Sequence, residues 1–233
     1  MATLLLRLQG PMQAWGVQSR FGVRDTAREP SKSGVIGLLC AALGRKRSEP
    51  VDDLAKLRMG VRVDRAGTVL MDFHTAKDVL RANSEAGKKP QIKDTELSRR
   101  YYLADAAFLV GLESDDIPLL EALHTALRNP RWMLFLGRKA FVPSPPVYLP
   151  NGLRLEENIF TAFENYPWLG ANEQEYETLR RQAGGQMRLM LEDENGEMLL
   201  NDFPISYAER QFAPRRMRVA WVEWPSFGLK EVA

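Results

Sequence analysis

A chain of 233 residues, 45% hydrophobic and 27% charged, has the make-up of a globular protein that can bury roughly 70% of its unfolded surface. No apolar run approaches the roughly 18 residues of a membrane span, and the opening Met1-Ala2-Thr3-Leu4-Leu5-Leu6-Arg7 is too short an apolar stretch for a secretory leader, so a cytoplasmic protein is expected. A single cysteine, Cys40, and two histidines exclude an internal disulfide and the usual zinc sites, and no cofactor or metal is expected.

In chain order, residues 3–9 predict a strand ended by Gly10-Pro11. A basic loop from Arg20 to Arg28 follows, and Pro30-Ser31-Lys32-Ser33-Gly34 leads into a helix over 35–43 with a serine cap and Gly44 as its stop. Residues 51–58 suggest a short helix, and 61–64 and 69–75 alternate as the two strands of a hairpin. Residues 76–100 are polar with no sustained apolar period, a length of insertion that is commonly functional. Strand character returns over 101–111. Ile117, Leu120, Leu123 and Leu127 space an amphipathic helix over 115–128, and 132–135 read as a further strand. Pro143, Pro145, Pro146 and Pro150 then break regular structure. Beyond them 186–192 and 197–201 predict a hairpin around Asp193-Glu194-Asn195-Gly196, and 216–224 a last strand.

The expected fold is therefore α+β. It comprises a ferredoxin-like βαββαβ core over residues 1–140 with an insertion at about 76–100, and a smaller β-rich region over 141–233.

The formal charge of +2 is unevenly spread: +5 over residues 1–50 and +3 over 76–100, against −7 over 151–203. Such a field suits a protein that offers one face to a polyanion and another to protein neighbours, although solvated loops would look the same. Arg20, Arg24, Arg28 and Lys32 lie in or beside a loop that runs into a helix N-terminus, where backbone N–H groups and bidentate arginines favour phosphate. Trp15 and Phe21 could stack on unpaired bases; the competing reading makes Trp15 a core anchor. Arg81, Lys88, Lys89, Lys93, Arg99 and Arg100 make the insertion basic, and Arg138 and Lys139 follow Gly137 at a predicted strand end. Arg210, Arg215, Arg216 and Arg218 bracket Phe212, and alternation sends Arg216 and Arg218 to one face. Cys40, in an apolar helical segment, reads as a buried small hydrophobe, and His124, beside an apolar stripe, as a packing residue.

Gly10-Pro11-Met12-Gln13-Ala14-Trp15-Gly16 and Arg28-Glu29-Pro30-Ser31-Lys32-Ser33-Gly34-Val35-Ile36-Gly37-Leu38-Leu39 resemble the amino-terminal signature of the fifth CRISPR-associated protein family, in its type I-E form. His74-Thr75, Leu136-Gly137-Arg138-Lys139 and Arg210-Gln211-Phe212-Ala213 fit the same subtype, while residues 140–205 match poorly. The resemblance implies a non-catalytic subunit of the Cascade surveillance complex that caps the 5′ handle of the CRISPR RNA. Its partners would be the repeated backbone subunit and the large subunit, with target DNA met only through the complex, and residues 76–100 would be a protruding thumb. It draws Gln13, Ser33 and Arg210 into the RNA-binding set. Two alternatives stand beside it. A metal-independent endoribonuclease would draw on His74, Tyr101 or Tyr102, and Lys93; a purely structural scaffold would bind no RNA.

Overall fold

Leu4, Leu5, Leu6 and Leu8 are all fully buried in the computed structural model, which describes residues 1–16, 22–81, 91–170 and 172–228. They belong to strand β1 (Ala2–Gln9), which is followed by the short strands β2 (Met12–Gln13) and β3 (Val23–Arg24) and the helices α1 (Lys32–Leu43) and α2 (Asp52–Ala55). Strands β4 (Arg58–Arg65), β5 (Thr68–Arg81), β6 (Gln91–Ala104) and β7 (Ala107–Ser114) precede helix α3 (Ile117–Arg128). Strand β8 (Leu153–Arg154), helices α4 (Ile159–Asn165) and α5 (Glu173–Gln182), and strands β9 (Gln186–Glu192), β10 (Met198–Ser206) and β11 (Gln211–Glu223) complete the chain order.

Seven strands form one sheet in the order β10-β11-β9-β4-β7-β1-β8, and a second sheet runs β2-β6-β3 with β5 paired to β6. The mixed α+β class is as expected. Side chains alternate across a strand, so Leu4, Leu6 and Leu8 pack with α1 and α3 on one side of β1. Leu5 joins Leu109, Ile159, Phe163 and Tyr176 on the other, under α4 and α5. Helices on both faces explain why the opening strand is an unbroken leucine run rather than an alternating one. Arg62 on β4 is fully buried too; it pairs with Asp64 at 2.7 Å and donates to the carbonyls of Phe163 and Tyr166 at the end of α4.

Several sequence expectations give way to pairing partners that lie far along the chain. Residues 61–64 and 69–75 do not form a hairpin: β4 pairs with β7 and β9, whereas β5 leaves that sheet and pairs with β6 over its whole length. Of the insertion expected at 76–100, residues 76–81 are the end of β5, 91–100 belong to β6, and 82–90 lie outside the described residues; β5 and β6 form a two-stranded ribbon. Both its faces meet solvent, so neither needs an apolar period, and the main-chain groups are satisfied across the ladder. The run 101–111 is likewise two strands, broken at Asp105, whose φ is 55°. Residues 132–135 are not a strand. The N–H groups of Arg131 and Trp132 instead bond the carbonyls of Ala42 and Ala41 in the last turn of α1, the second of which also accepts from Gly44 N–H.

Nor do 186–192 and 197–201 pair with each other. Both pair with β11, and Gly196 lies against the backbone of Met217, where an added Cβ would fall 2.3 Å from the carbonyl oxygen. The region beyond residue 140 contains α4 and α5 as well as strands, and its strand β9 hydrogen-bonds β4, so the expected boundary cuts through a single sheet. The helix caps were well signalled. The Ser31 side chain accepts from Gly34 N–H, and Gly44, at φ 77°, ends α1 in the left-handed conformation. Cys40 is buried on this helix, and burial pushes its thiol up to about 11. No helix among the described residues is long and apolar enough to cross a membrane.

Candidate nucleic-acid interface

The amino-terminal motif is built inward. Gln13 is completely buried; its Nε2 donates to the carbonyls of Leu8 (3.1 Å) and Ala106 (2.8 Å), and its Oε1 accepts from Trp15 Nε1 at 3.1 Å. Trp15 is 1% exposed, and its ring lies so close under Gly34 that a Cβ there would come within 2.8 Å of it. Its backbone holds the end of the basic loop, accepting from Ala27 N–H and donating to Thr26 Oγ1. Gln13 and Trp15, expected to touch RNA, are corrected to the frame that seats the loop and the start of α1: every polar atom is spent inside the chain.

Lys32 is corrected in the same way. It is 1% exposed, its Nζ donates to both oxygens of Glu192 at 2.9 Å, and its backbone N–H donates to Asp202. Asp202 in turn takes Arg215 Nε at 2.6 Å, so Arg215 is buried rather than part of a surface cluster. Desolvation lowers the Lys32 pKa, and the Glu192 carboxylate opposes that shift. Ser33 is half-buried, its carbonyl taken by the Tyr207 hydroxyl.

The cations that do converge lie at the root of the β5–β6 ribbon. Val23 and Arg24 on β3 run parallel to β6 as register partners of Arg99 and Arg100. Arg138 arrives from the middle of the sequence; its Nη2 donates to the carbonyl of Tyr101 at 2.8 Å and to that of Arg24 at 3.3 Å, and its guanidinium lies 5.4 Å from the centre of the Phe141 ring. Gly137 makes this possible. It sits at φ 88°, and a Cβ would fall 1.7 Å from the carbonyl oxygen of Ala14, so only glycine lets the loop close onto the Gln13-Ala14-Trp15 segment and aim Arg138 at β6. Partial burial and then the neighbouring charges of Arg100 and Arg24 lower the Arg138 pKa, against the opposing carboxylates of Asp72 and Asp25.

Alternation divides the ribbon. Met71, Phe73, Leu97, Arg99 and Tyr101 share one face with Val23, and Asp72, His74, Ser98 and Arg100 share the other with Arg24. Met71, Phe73 and Leu97 are about half-exposed. His74 Nδ1 stands 3.5 Å from Asp72, and His124 packs on Tyr148 with its Nε2 against the Leu149 carbonyl, the packing role expected of it.

Arg28 and Lys139 are exposed but stand outside the arginine cluster. Arg210, at φ 55°, lies in the turn between β10 and β11, away from the ribbon. Arg20, Phe21, Lys88 and Lys89 lie outside the described residues, and for Arg81 and Lys93 only the backbone is described.

Sequence reasoning missed a groove of about 720 Å³ between α1 and the 132–139 segment, lined among others by Arg45, Lys46, Arg47, Trp132, Met133 and Lys139. The run Arg45-Lys46-Arg47 just past the Gly44 stop was its available signal; Trp132 and Met133 were hidden by the expectation of a strand.

Comparison with known proteins agrees with this architecture. The family model described as CRISPR-associated protein (Cas_Cas5) matches residues 3–218. The CRISPR system Cascade subunit CasD of Escherichia coli (strain K12) is 32% identical over 230 residues, covering 93% of this chain and 94% of that protein. A crystal structure of a Cas protein superposes with a TM-score of 0.73 at 47% identity, covering 96% of this chain and 98% of the other. A chain of a CRISPR RNA-guided surveillance complex gives 0.71 at 34% identity, covering 96% and 91%.

Proposed function

Because this chain belongs to the Cas5 family of CRISPR-associated proteins, we propose that it is the type I-E Cascade subunit that grips the 5′ handle of the guide RNA, using the arginines at the root of its ribbon. The observation that carries the reading is the convergence of Arg24, Arg100 and Arg138 from three distant stretches of sequence onto one edge of β6. Guanidinium groups so placed bind phosphate bidentately, and their mutual repulsion is relieved by the anion.

Strands β4-β7-β1-β8, with α1 and α3, follow βαββαβ order, and we read them as a ferredoxin-like core whose last strand is cut to two residues. The ribbon is the thumb. Its half-exposed Met71, Phe73 and Leu97 suit a protein neighbour, which in this assembly is the backbone subunit, with the large subunit meeting another surface. In this reading the subunit holds RNA rather than cutting it: His74 stands beside Asp72, Tyr101 belongs to the other face of the ribbon, and Tyr102, on the face of His74, packs its ring on Phe141.

The test is equilibrium binding of the full chain to the repeat-derived 5′ segment of guide RNA over a series of salt concentrations. Replacing Arg24 and Arg100 by Ala should weaken binding roughly tenfold per arginine and flatten the salt slope by about 0.7 per phosphate contact removed. Unchanged affinity and slope would remove the cluster from the interface, and metal-free cleavage of precursor RNA by the purified chain would make it a nuclease.

A further inference from the structure

The groove between α1 and the 132–139 segment has a composition that the arginine cluster does not explain. Gly34, Gly37 and Ala41 of α1 line it. So do the cations Arg45, Lys46, Arg47 and Lys139, together with Trp132, 44% exposed, and Met133, 68% exposed. Among the described residues no carboxylate lines it. Arg45 is committed to Asp53, which takes both of its terminal nitrogens, but Lys46 and Arg47 are exposed. A volume of about 720 Å³ lies within the range of sites that enclose a small organic ligand.

Resting on the reading that this chain holds guide RNA, we propose that the groove is a second RNA subsite. It takes one or two unpaired nucleotides of the same strand, with a base stacked on Trp132 and the flanking phosphates held by Lys46, Arg47 and Lys139. Two observations select single-stranded RNA as the occupant. Cations and an exposed indole lining one groove, with no carboxylate among the described lining residues, supply the chemistry that grips unpaired nucleotides without reading a duplex. The groove also adjoins the arginine cluster along the chain: Gly137 and Lys139 line it, and Arg138 between them donates to the carbonyls of Arg24 and Tyr101.

The experiment measures the full chain against the repeat-derived 5′ RNA segment, with Lys46→Ala/Arg47→Ala, Trp132→Ala and Arg24→Ala/Arg100→Ala compared in parallel and thermal unfolding recorded for each. Removing both groove cations should flatten the salt slope by about 1.4, two contacts at about 0.7 each, and Trp132→Ala should weaken binding roughly tenfold. 4-Thiouridine placed next to the cluster-bound nucleotide should crosslink to the peptide holding Trp132 and Met133. If the arginine pair weakens binding but both groove variants bind as the parent does, the groove proposal falls and the function above stands. If neither set matters, both fall. Groove variants that keep RNA affinity but no longer assemble with the other subunits would make the groove a protein site and overturn it. Should Trp132→Ala unfold, the lysine–arginine pair, whose side chains are exposed, decides alone.

Discussion

At the scale of single residues, polarity in this sequence misleads wherever its partner is distant. Lys32 reads as a surface cation beside a helix start, yet it is sealed in the core by Glu192, 160 positions later. Nothing local announces such a pairing, and the same holds for the Phe163 and Tyr166 carbonyls that take the buried Arg62. Removing one member of a buried ion pair leaves the other charge without compensation, a cost of about 3 kcal/mol. Lys32→Met should therefore lower stability by about that much in urea titrations while the folded fraction binds guide RNA normally. A variant with parental stability and weakened RNA binding would return Lys32 to the interface. Trp15 shows the converse: the sequence left it open between stacking on a base and anchoring the core, and its burial against Gly34 favours the core.

At the scale of elements, legibility followed the strength of the local signal. The first strand and the helices α1 and α3 could be read because leucine spacing and caps are encoded within a dozen residues. The ribbon could not be read as strands, because a ladder exposed on both faces carries no hydrophobic period, although its basic charge and its role as an insertion were visible. The candidate site was half legible. Arg24, Arg100 and Arg138 could each be suspected from sequence, but the contact among them depends on Gly137 closing onto Ala14. Gly137→Ala adds a Cβ into a carbonyl and forces an L-residue to positive φ, which costs about 1–3 kcal/mol or displaces the loop. It should lower stability and weaken RNA binding as much as Arg138→Ala does. Measured together by urea titration and RNA binding, a Gly137→Ala protein unaffected in both would show that the seat is not needed.

At the scale of the whole molecule, strands from both sides of residue 140 share the seven-stranded sheet. β9 completes the edge of β4, and the carboxylates that neutralise Lys32 sit on β9 and β10. A fragment ending at residue 140 should accordingly fail to unfold cooperatively when melted and followed by circular dichroism; a sharp transition in that fragment would show that the front half stands alone. The bond from Lys32 to Glu192 also has a temporal side. The start of α1, which carries Lys32, is made well before Glu192, 160 positions later, and before Asp202. A nascent chain therefore holds this lysine without its carboxylate partners until β9 and β10 have been added, so the setting of the front of the fold waits on strands far along the chain.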